Sequence, residues 1–354
     1  MIKFVKLLAA AMAVLLVLPA ASCQKTEEPP AKEYNTVAFH NPISPTDAPD
    51  PFITYDTFTE YYYAIYTQGD RLELFRSKHV ADLFTDQDSK VIYRAEGAPI
   101  YGDIWAPEMH RGPDGLWYIY TSGKISLEHD EKRVFVVGSL TADPFGEWEY
   151  KGMPAPNVFS IDPTVYTDID GTQYLCYSRV HPEYGQVLEI AKMKNPYTVS
   201  FTTMIARAEL PWELVSPYVG NLAVLEGAFF LKKSGRLFLI YSANGCWSNH
   251  YALGVLEYTG DSMLSPNSWT KHPEPILTYG NDVYGPGHAS FFRSPDASEI
   301  WCVYHGMKQS NDTVTPAFRF VNVQKVEFDD TGYPILGKPI GYETPILPPS
   351  GERK

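Results

Sequence analysis

Gly171-Thr-Gln-Tyr-Leu-Cys-Tyr177-Ser178 reads as a strand leaving a tight turn. Asp170-Gly171 supplies the turn, because glycine enters left-handed backbone without a steric penalty and Asp-Gly is a strong hairpin signal. The residues that follow alternate aromatic and aliphatic side chains, which suit a pleated and largely buried surface. The same stretch recurs along the chain. Tyr62-Tyr-Ala-Ile-Tyr66 and Gly115-Leu-Trp-Tyr-Ile-Tyr120 lie upstream of it. Gly235-Arg-Leu-Phe-Leu-Ile-Tyr241 and Ser298-Glu-Ile-Trp-Cys-Val-Tyr304 lie downstream. The closing tyrosines are 54, 57, 64 and 63 residues apart. A period near 60, with turn and strand signals throughout and no long helical stretch beyond the N-terminal segment, indicates small sheets repeated around an axis. Each copy makes one four-stranded blade, and closing the ring protects edges that an open sheet would expose. The expected fold is therefore all-β, a five-bladed β-propeller; a β-sandwich would not produce this period.

A second series runs about 15 residues ahead of the first: Asp50-Pro51, Trp105-Ala-Pro107, Asp162-Pro163, Glu226-Gly227 and Gly287-His288. Asp50, Trp105, Asp162, Glu226 and His288 are separated by 55, 57, 64 and 62 residues. Equivalent positions in five blades converge on one axial funnel. Three carboxylates, a Trp and a His would share a pocket there. Each taken alone has an ordinary explanation, since Asp before Pro often caps a turn and Glu before Gly often sits at a surface. Their common phase gives them a common purpose.

Two carboxylates that flank a sugar linkage are the apparatus of glycoside hydrolysis. One stays ionised to activate water or attack carbon, and the other keeps a proton for the leaving oxygen. Burial and like charge push the two pKa values apart. Asp50, Asp162 and Glu226 fit those demands as the catalytic set. Trp105 suits stacking on a sugar face. The turn Gly285-Pro-Gly287 aims His288 inward, as a substrate contact or a metal ligand.

Composition agrees with this chemistry. The 354 residues carry a formal net charge of −13, which excludes nucleic acid as a partner, because phosphate binding needs clustered Lys and Arg. Aromatic residues make up 14% of the chain, enough for sheet surfaces and for sugar stacking. Lys3 and Lys6, the apolar run Leu7 to Leu18, and Leu18-Pro-Ala-Ala-Ser22 before Cys23 read as a lipoprotein signal of residues 1–23, too short to span a bilayer permanently. Residues 24–38 read as a polar tether and 39–348 as the catalytic propeller. The expected location is an outer-membrane or periplasmic lipoprotein, open to exposure at the cell surface, held to the membrane only by its lipid and monomeric. Cys176, Cys246 and Cys302 show no metal-ligand spacing and are expected as buried thiols.

With these residues in hand, the chain resembles glycoside hydrolase family 43 over roughly residues 40 to 345. The marks are Asn41-Pro42, Asp50-Pro51-Phe52-Ile53, Ile104-Trp-Ala-Pro-Glu108, Ile161-Asp-Pro-Thr164, Leu225-Glu-Gly227, Gly285-Pro-Gly-His288, Tyr304-His305 and Asp330-Thr-Gly332-Tyr-Pro334. The resemblance implies an inverting mechanism with Asp50 as general base and Glu226 as general acid. Asp162 would tune and orient Glu226. It also implies substrate contacts from Trp105, Glu108, Tyr284, His288 and Arg319. No cofactor is required for the chemistry, and a structural Ca2+ near the propeller centre would take His288 as a ligand. Where the family often carries an Arg six residues before a Trp or Phe, this chain has Asn322 before Phe328, with Arg319 upstream as the substitute. Tyr284-Gly-Pro-Gly-His288, Asn195-Pro-Tyr197 and Ser268-Trp-Thr270 resemble the exo-acting α-L-arabinofuranosidases. A β-xylosidase or an endo-1,5-α-L-arabinanase would share the carboxylates. A non-catalytic glycan-binding lipoprotein would not need a proton donor. The choice falls to the loops 121–133, 178–187 and 244–250.

Overall fold

Each repeat of the sequence becomes one antiparallel sheet whose strands run outward in chain order. Blade one is β1 (Phe52–Asp56), β2 (Tyr61–Ile65), β3 (Arg71–Ser77) and β4 (Ser89–Arg94). Blade two is β5 (Trp105–Arg111), β6 (Trp117–Lys124), β7 (Lys132–Ser139) and β8 (Trp148–Gly152). Blade three is β9 (Ile161–Thr167), β10 (Gln173–His181), β11 (Gly185–Asn195) and β12 (Thr198–Ala206). Blade four is β13 (Leu225–Lys233), β14 (Arg236–Ala243), β15 (Ala252–Tyr258) and β16 (Trp269–Lys271). Blade five has three strands, β17 (Tyr284–Arg293), β18 (Ile300–Met307) and β19 (Phe320–Lys325). First strands of neighbouring blades pack on one another, so they form the inner wall of a five-bladed β-propeller. The computed structural model describes residues 33–85, 88–155, 157–215, 223–311, 313 and 317–354. The expected signal segment and most of the expected tether lie outside the described residues.

The repeat tyrosines and their aliphatic neighbours build the core between blades. One apolar cluster fills each of the five interfaces. Phe52, Ile65 and Leu74 meet Met109, Ile119 and Phe135 between blades one and two. Tyr120 and Val136 meet Leu175 and Tyr177 between two and three. Cys176, Leu188 and Ile190 meet Leu225, Leu239 and Tyr241 between three and four. Phe238 and Ile240 meet Phe291, Cys302 and Tyr304 between four and five. Ile53, Tyr62 and Ala64 meet Trp301, Val303 and Val323 between five and one. Each fully buried large apolar side chain stabilises the ring by about 1.5–3 kcal/mol.

The place of a fourth strand in blade five is taken by an irregular segment from the other end of the chain. Ile43 N–H donates to the Val321 carbonyl at 2.9 Å and Ala48 N–H to that of Arg319 at 2.9 Å. Buried Asn41 gives Nδ2 to the Val323 carbonyl and takes the Val323 N–H on Oδ1, both at 2.9 Å. Tyr34 bridges Arg353, and Asn35 Nδ2 reaches Glu352 Oε1 at 2.7 Å. The compact unit therefore runs Tyr34–Lys354, wider at both ends than the 39–348 span expected from the repeats.

Each blade carries a residue in left-handed backbone at or just before its inner strand: Asp50 (φ 55°), Ala106 (45°), Asp162 (53°), Gly227 (54°) and His288 (49°), with Gly285 (53°) a second in blade five. Pairing to the second strand shifts register at this point in blades two to five. Such bulges re-aim side chains, and non-glycine residues persist there only under external constraint. They also refine the second sequence series. Asp50, Asp162 and His288 occupy the bulge position itself, whereas Trp105 and Glu226 sit one residue before it.

Candidate active site

The bulges open onto a cavity of about 310 Å3 at one end of the axis. Asp50, Trp105, Asp162, Glu226, His288 and Arg319 all line it. The loops expected to shape it contribute Asp130 and Lys132, Val180 and Gln186, and Cys246 and Trp247. Phe159 and Ile161 add apolar wall. Two residues named from sequence lie elsewhere. Glu108 follows the bulge in β5 and turns into the interior, where its Oε2 is 2.7 Å from His110 Nε2. Tyr284 begins β17 and packs its ring on Tyr279, with centroids 4.6 Å apart, rather than lining the cavity.

Asp50 is held as a carboxylate. Its Oδ2 accepts the Thr67 hydroxyl at 2.7 Å. Its Oδ1 lies 3.3 Å from His288 Nδ1 and 3.3 Å from Arg319 Nη1. Burial alone would raise its pKa. The charges of His288 and Arg319 outweigh that and hold it well below the ordinary carboxylate value. His305 sits beneath, taking the Asp50 N–H on Nδ1 at 3.1 Å, and burial pushes its pKa down to about 4. It is therefore a neutral acceptor.

Glu226 is pushed the other way. Burial raises it, and the negative charge of Asp50 raises it further, to about 7. Tyr251 donates its hydroxyl to Glu226 Oε1 at 3.0 Å, and Gln186 Nε2 lies 3.3 Å from Oε2. Asp162 is also raised well above its ordinary value, first by burial and then by repulsion from Glu226 and Asp50. Asp162 Oδ2 accepts the N–H of Gly227 at 3.1 Å. It thus grips the backbone directly after Glu226. One ionised and one protonated carboxyl in the same cavity are what an acid and base pair requires at mildly acidic pH.

Trp105 lines the cavity, and Lys132 Nζ stands over its ring, 3.9 Å from the centroid. Lys132 is buried and paired with Asp130 and, at 3.5 Å, with Asp103. Arg319 is the guanidinium of the site. Asn322, the residue that departs from the family pattern, is buried and bonds to the Phe320 carbonyl instead.

Thr67, Gln186 and Tyr251 went unread in the sequence, and His305 was read only as part of a motif, without a role. Two of them follow a repeat tyrosine directly, and that position carried a signal. Thr67, Thr121, Ser178, Ser242 and His305 form a third five-fold series. Thr67 Oγ1 accepts the Ala106 N–H, Ser178 donates to the Leu225 carbonyl, Ser242 accepts the His288 N–H, and His305 accepts that of Asp50. These four tie their blades to the next, whereas Thr121 donates to the Trp105 carbonyl of its own blade. Gln186 and Tyr251 sit outside any repeat phase.

A cation finds a thin donor set. Among the described residues no group of three or more His, Cys, Asp or Glu is arranged to hold a metal. The one candidate imidazole, His288, turns Nδ1 toward Asp50. The residues do not form a ligand cage of their own, so no chemical step is derived through a metal.

The family described as Glycosyl hydrolases family 43 matches residues 39–334. The chain is 32% identical over 349 residues to an extracellular exo-alpha-(1->5)-L-arabinofuranosidase of Streptomyces avermitilis, covering 95% of this chain and 70% of that protein. It is 35% identical over 279 residues to a like-named enzyme of Streptomyces chartreusis, covering 75% and 82%. Among solved structures, an alpha-L-arabinofuranosidase from Lactobacillus brevis superposes with a TM-score of 0.77 at 27% identity, over 86% of this chain and 98% of that one.

Proposed function

The chain belongs to glycosyl hydrolase family 43, and we propose that it releases single α-L-arabinofuranose units from the ends or branches of plant polysaccharides and their oligosaccharides, with inversion at the anomeric carbon. The observation that carries this reading is the opposite displacement of two carboxyls in one small cavity, Asp50 downward and Glu226 up to about 7. Asp50 takes a proton from water as that water attacks the anomeric carbon. Glu226 gives its proton to the departing oxygen. Asp162 steadies Glu226 through the N–H of Gly227, which its Oδ2 accepts. Arg319 and His288 keep Asp50 ionised without needing a metal.

The choice of sugar follows the relatives, whose names specify exo-acting arabinofuranosidases. The cavity supports an exo reading, since about 310 Å3 is at the small end of ligand pockets and suits a chain terminus better than a polymer running through. Among the described residues no helix is long and apolar enough to cross a membrane. Two of the relatives are named extracellular. Anchoring through Cys23 on the outer membrane and action as a monomer belong to the same proposal.

The test is turnover of 4-nitrophenyl α-L-arabinofuranoside and of α-1,5-linked arabinobiose, with the anomer of the first-formed product read by NMR. Wild type should release the inverted sugar, Glu226→Gln should lose at least about a hundredfold on arabinobiose, and EDTA should leave turnover intact. Silence on arabinosides with turnover of xylosides would move the enzyme to another sugar. Silence on all glycosides would sink the hydrolase reading.

A further inference from the structure

Glu226 Oε1 accepts the Tyr251 hydroxyl at 3.0 Å. Ser242, whose Oγ takes the backbone N–H of His288 at 2.8 Å, acts on the same tyrosine oxygen as a donor. Tyr251 itself has no freedom to turn away. It is fully buried, its ring lies flat on His305 (centroids 5.5 Å apart, planes 9° apart), and a Cβ on Gly287 would fall 2.3 Å from its ring.

A protonated carboxyl carries its hydrogen on one oxygen. If that were Oε1, the Tyr251 hydroxyl would be left as a buried donor without an acceptor, a cost comparable to a lost hydrogen bond. The remaining oxygen, Oε2, is near Gln186 Nε2 at 3.3 Å, and Gln186 lines the cavity. We propose that Tyr251 is a positioning residue for catalysis, which confines the transferable proton of Glu226 to Oε2 and so aims it at the leaving oxygen. This rests on Glu226 being the acid. Tyr251 also donates to the ionised form once the proton has gone, which eases departure of that proton.

Tyr251→Phe keeps the ring and its packing and removes only the donor. On α-1,5-linked arabinobiose, whose leaving group needs a proton, kcat should fall about tenfold to a hundredfold. On 4-nitrophenyl α-L-arabinofuranoside, whose leaving group departs with little protonation, it should fall by less than about threefold. The alkaline limb of the kcat profile should move up by about half to one pH unit, because a lost donor favours the protonated acid. Ser242→Ala, one link back, should shift both readouts the same way by a smaller amount, and it carries the test if Tyr251→Phe does not fold. Equal losses on both substrates, or an unmoved limb, would overturn the proposal. Glu226→Gln run alongside separates the two readings. If it still cleaves arabinobiose, the acid assignment fails and Tyr251 falls with it. If it is silent while Tyr251→Phe is unselective, only the role of Tyr251 fails.

Discussion

Asp50 and Glu226 are both half-buried acids in one cavity, yet they end on opposite sides of their ordinary values. Burial favours the neutral form of each. At Asp50 the charges of His288 and Arg319 reverse the outcome, while at Glu226 the charge of Asp50 reinforces it. The pH profile follows from that asymmetry. kcat should be flat through mildly acidic pH and fall with an alkaline limb near 7, where Glu226 ionises, and with an acid limb below the ordinary carboxylate range, where Asp50 takes a proton. Asp162→Ala should lower kcat, since the Gly227 N–H directly after Glu226 loses its acceptor; an unchanged kcat would remove Asp162 from its positioning role. Stability has the matching sign. Glu226 binds its proton more tightly folded than unfolded, so its contribution is complete below the ordinary value of 4.5 and is lost as pH rises through about 7. Glu226→Gln should flatten thermal stability across that window.

At the scale of the strand, the bulge decides where a side chain points. Gly227 shows how little slack it leaves. Its φ is 54°, and a Cβ there would lie 2.9 Å from His288 Cγ and 3.0 Å from Nδ1. Gly227→Ala would therefore drive His288 off Asp50 while adding backbone strain of about 1–2 kcal/mol. We expect a melting temperature lower by several degrees and kcat down by more than tenfold, measured by calorimetry and steady-state kinetics; wild-type constants would mean that His288 yields freely. The bulge also explains what the sequence could and could not disclose. The inner-strand motifs were legible because they recur in phase, and the phase is a property of the fold. Their alignment to the single residue was not, because Trp105 and Glu226 stand one position before the bulge and Asp50, Asp162 and His288 stand on it. Glu108 was expected on the substrate, and beyond the bulge alternation turns it inward to His110. The tyrosine-following series was visible but silent, since a Thr or Ser after an aromatic strand is ordinary until its partner in the next blade is known. Gln186 and Tyr251 left no trace at all. They come from loops or strand ends that belong to no repeat.

The whole ring closes through the segment around residues 41–48, and the seam runs straight into the site. Asn41 stitches both backbone groups of Val323, Ala48 bonds Arg319, and Arg319 N–H donates to Asp47 Oδ1 at 2.6 Å. Two residues past Ala48 stands Asp50, whose Oδ1 is 3.3 Å from the Arg319 guanidinium. Closure and base positioning thus share the same few residues. Asn41→Ala should leave the Val323 N–H and carbonyl buried and unpaired, at about 1–3 kcal/mol each. The apolar cluster between blades five and one still holds the sheets, so the loss should appear first as local opening of the seam. Local opening separates Asp50 from Arg319 before any blade unfolds, and the base then loses one of the charges that keep it ionised. The prediction is a gap between two temperatures. In Asn41→Ala, initial rates should collapse several degrees below the midpoint seen by circular dichroism, whereas in the wild type the two should coincide. If activity and ellipticity fall together in the variant, the seam opens only with global unfolding, and closure of the ring contributes to stability without governing the geometry of the base.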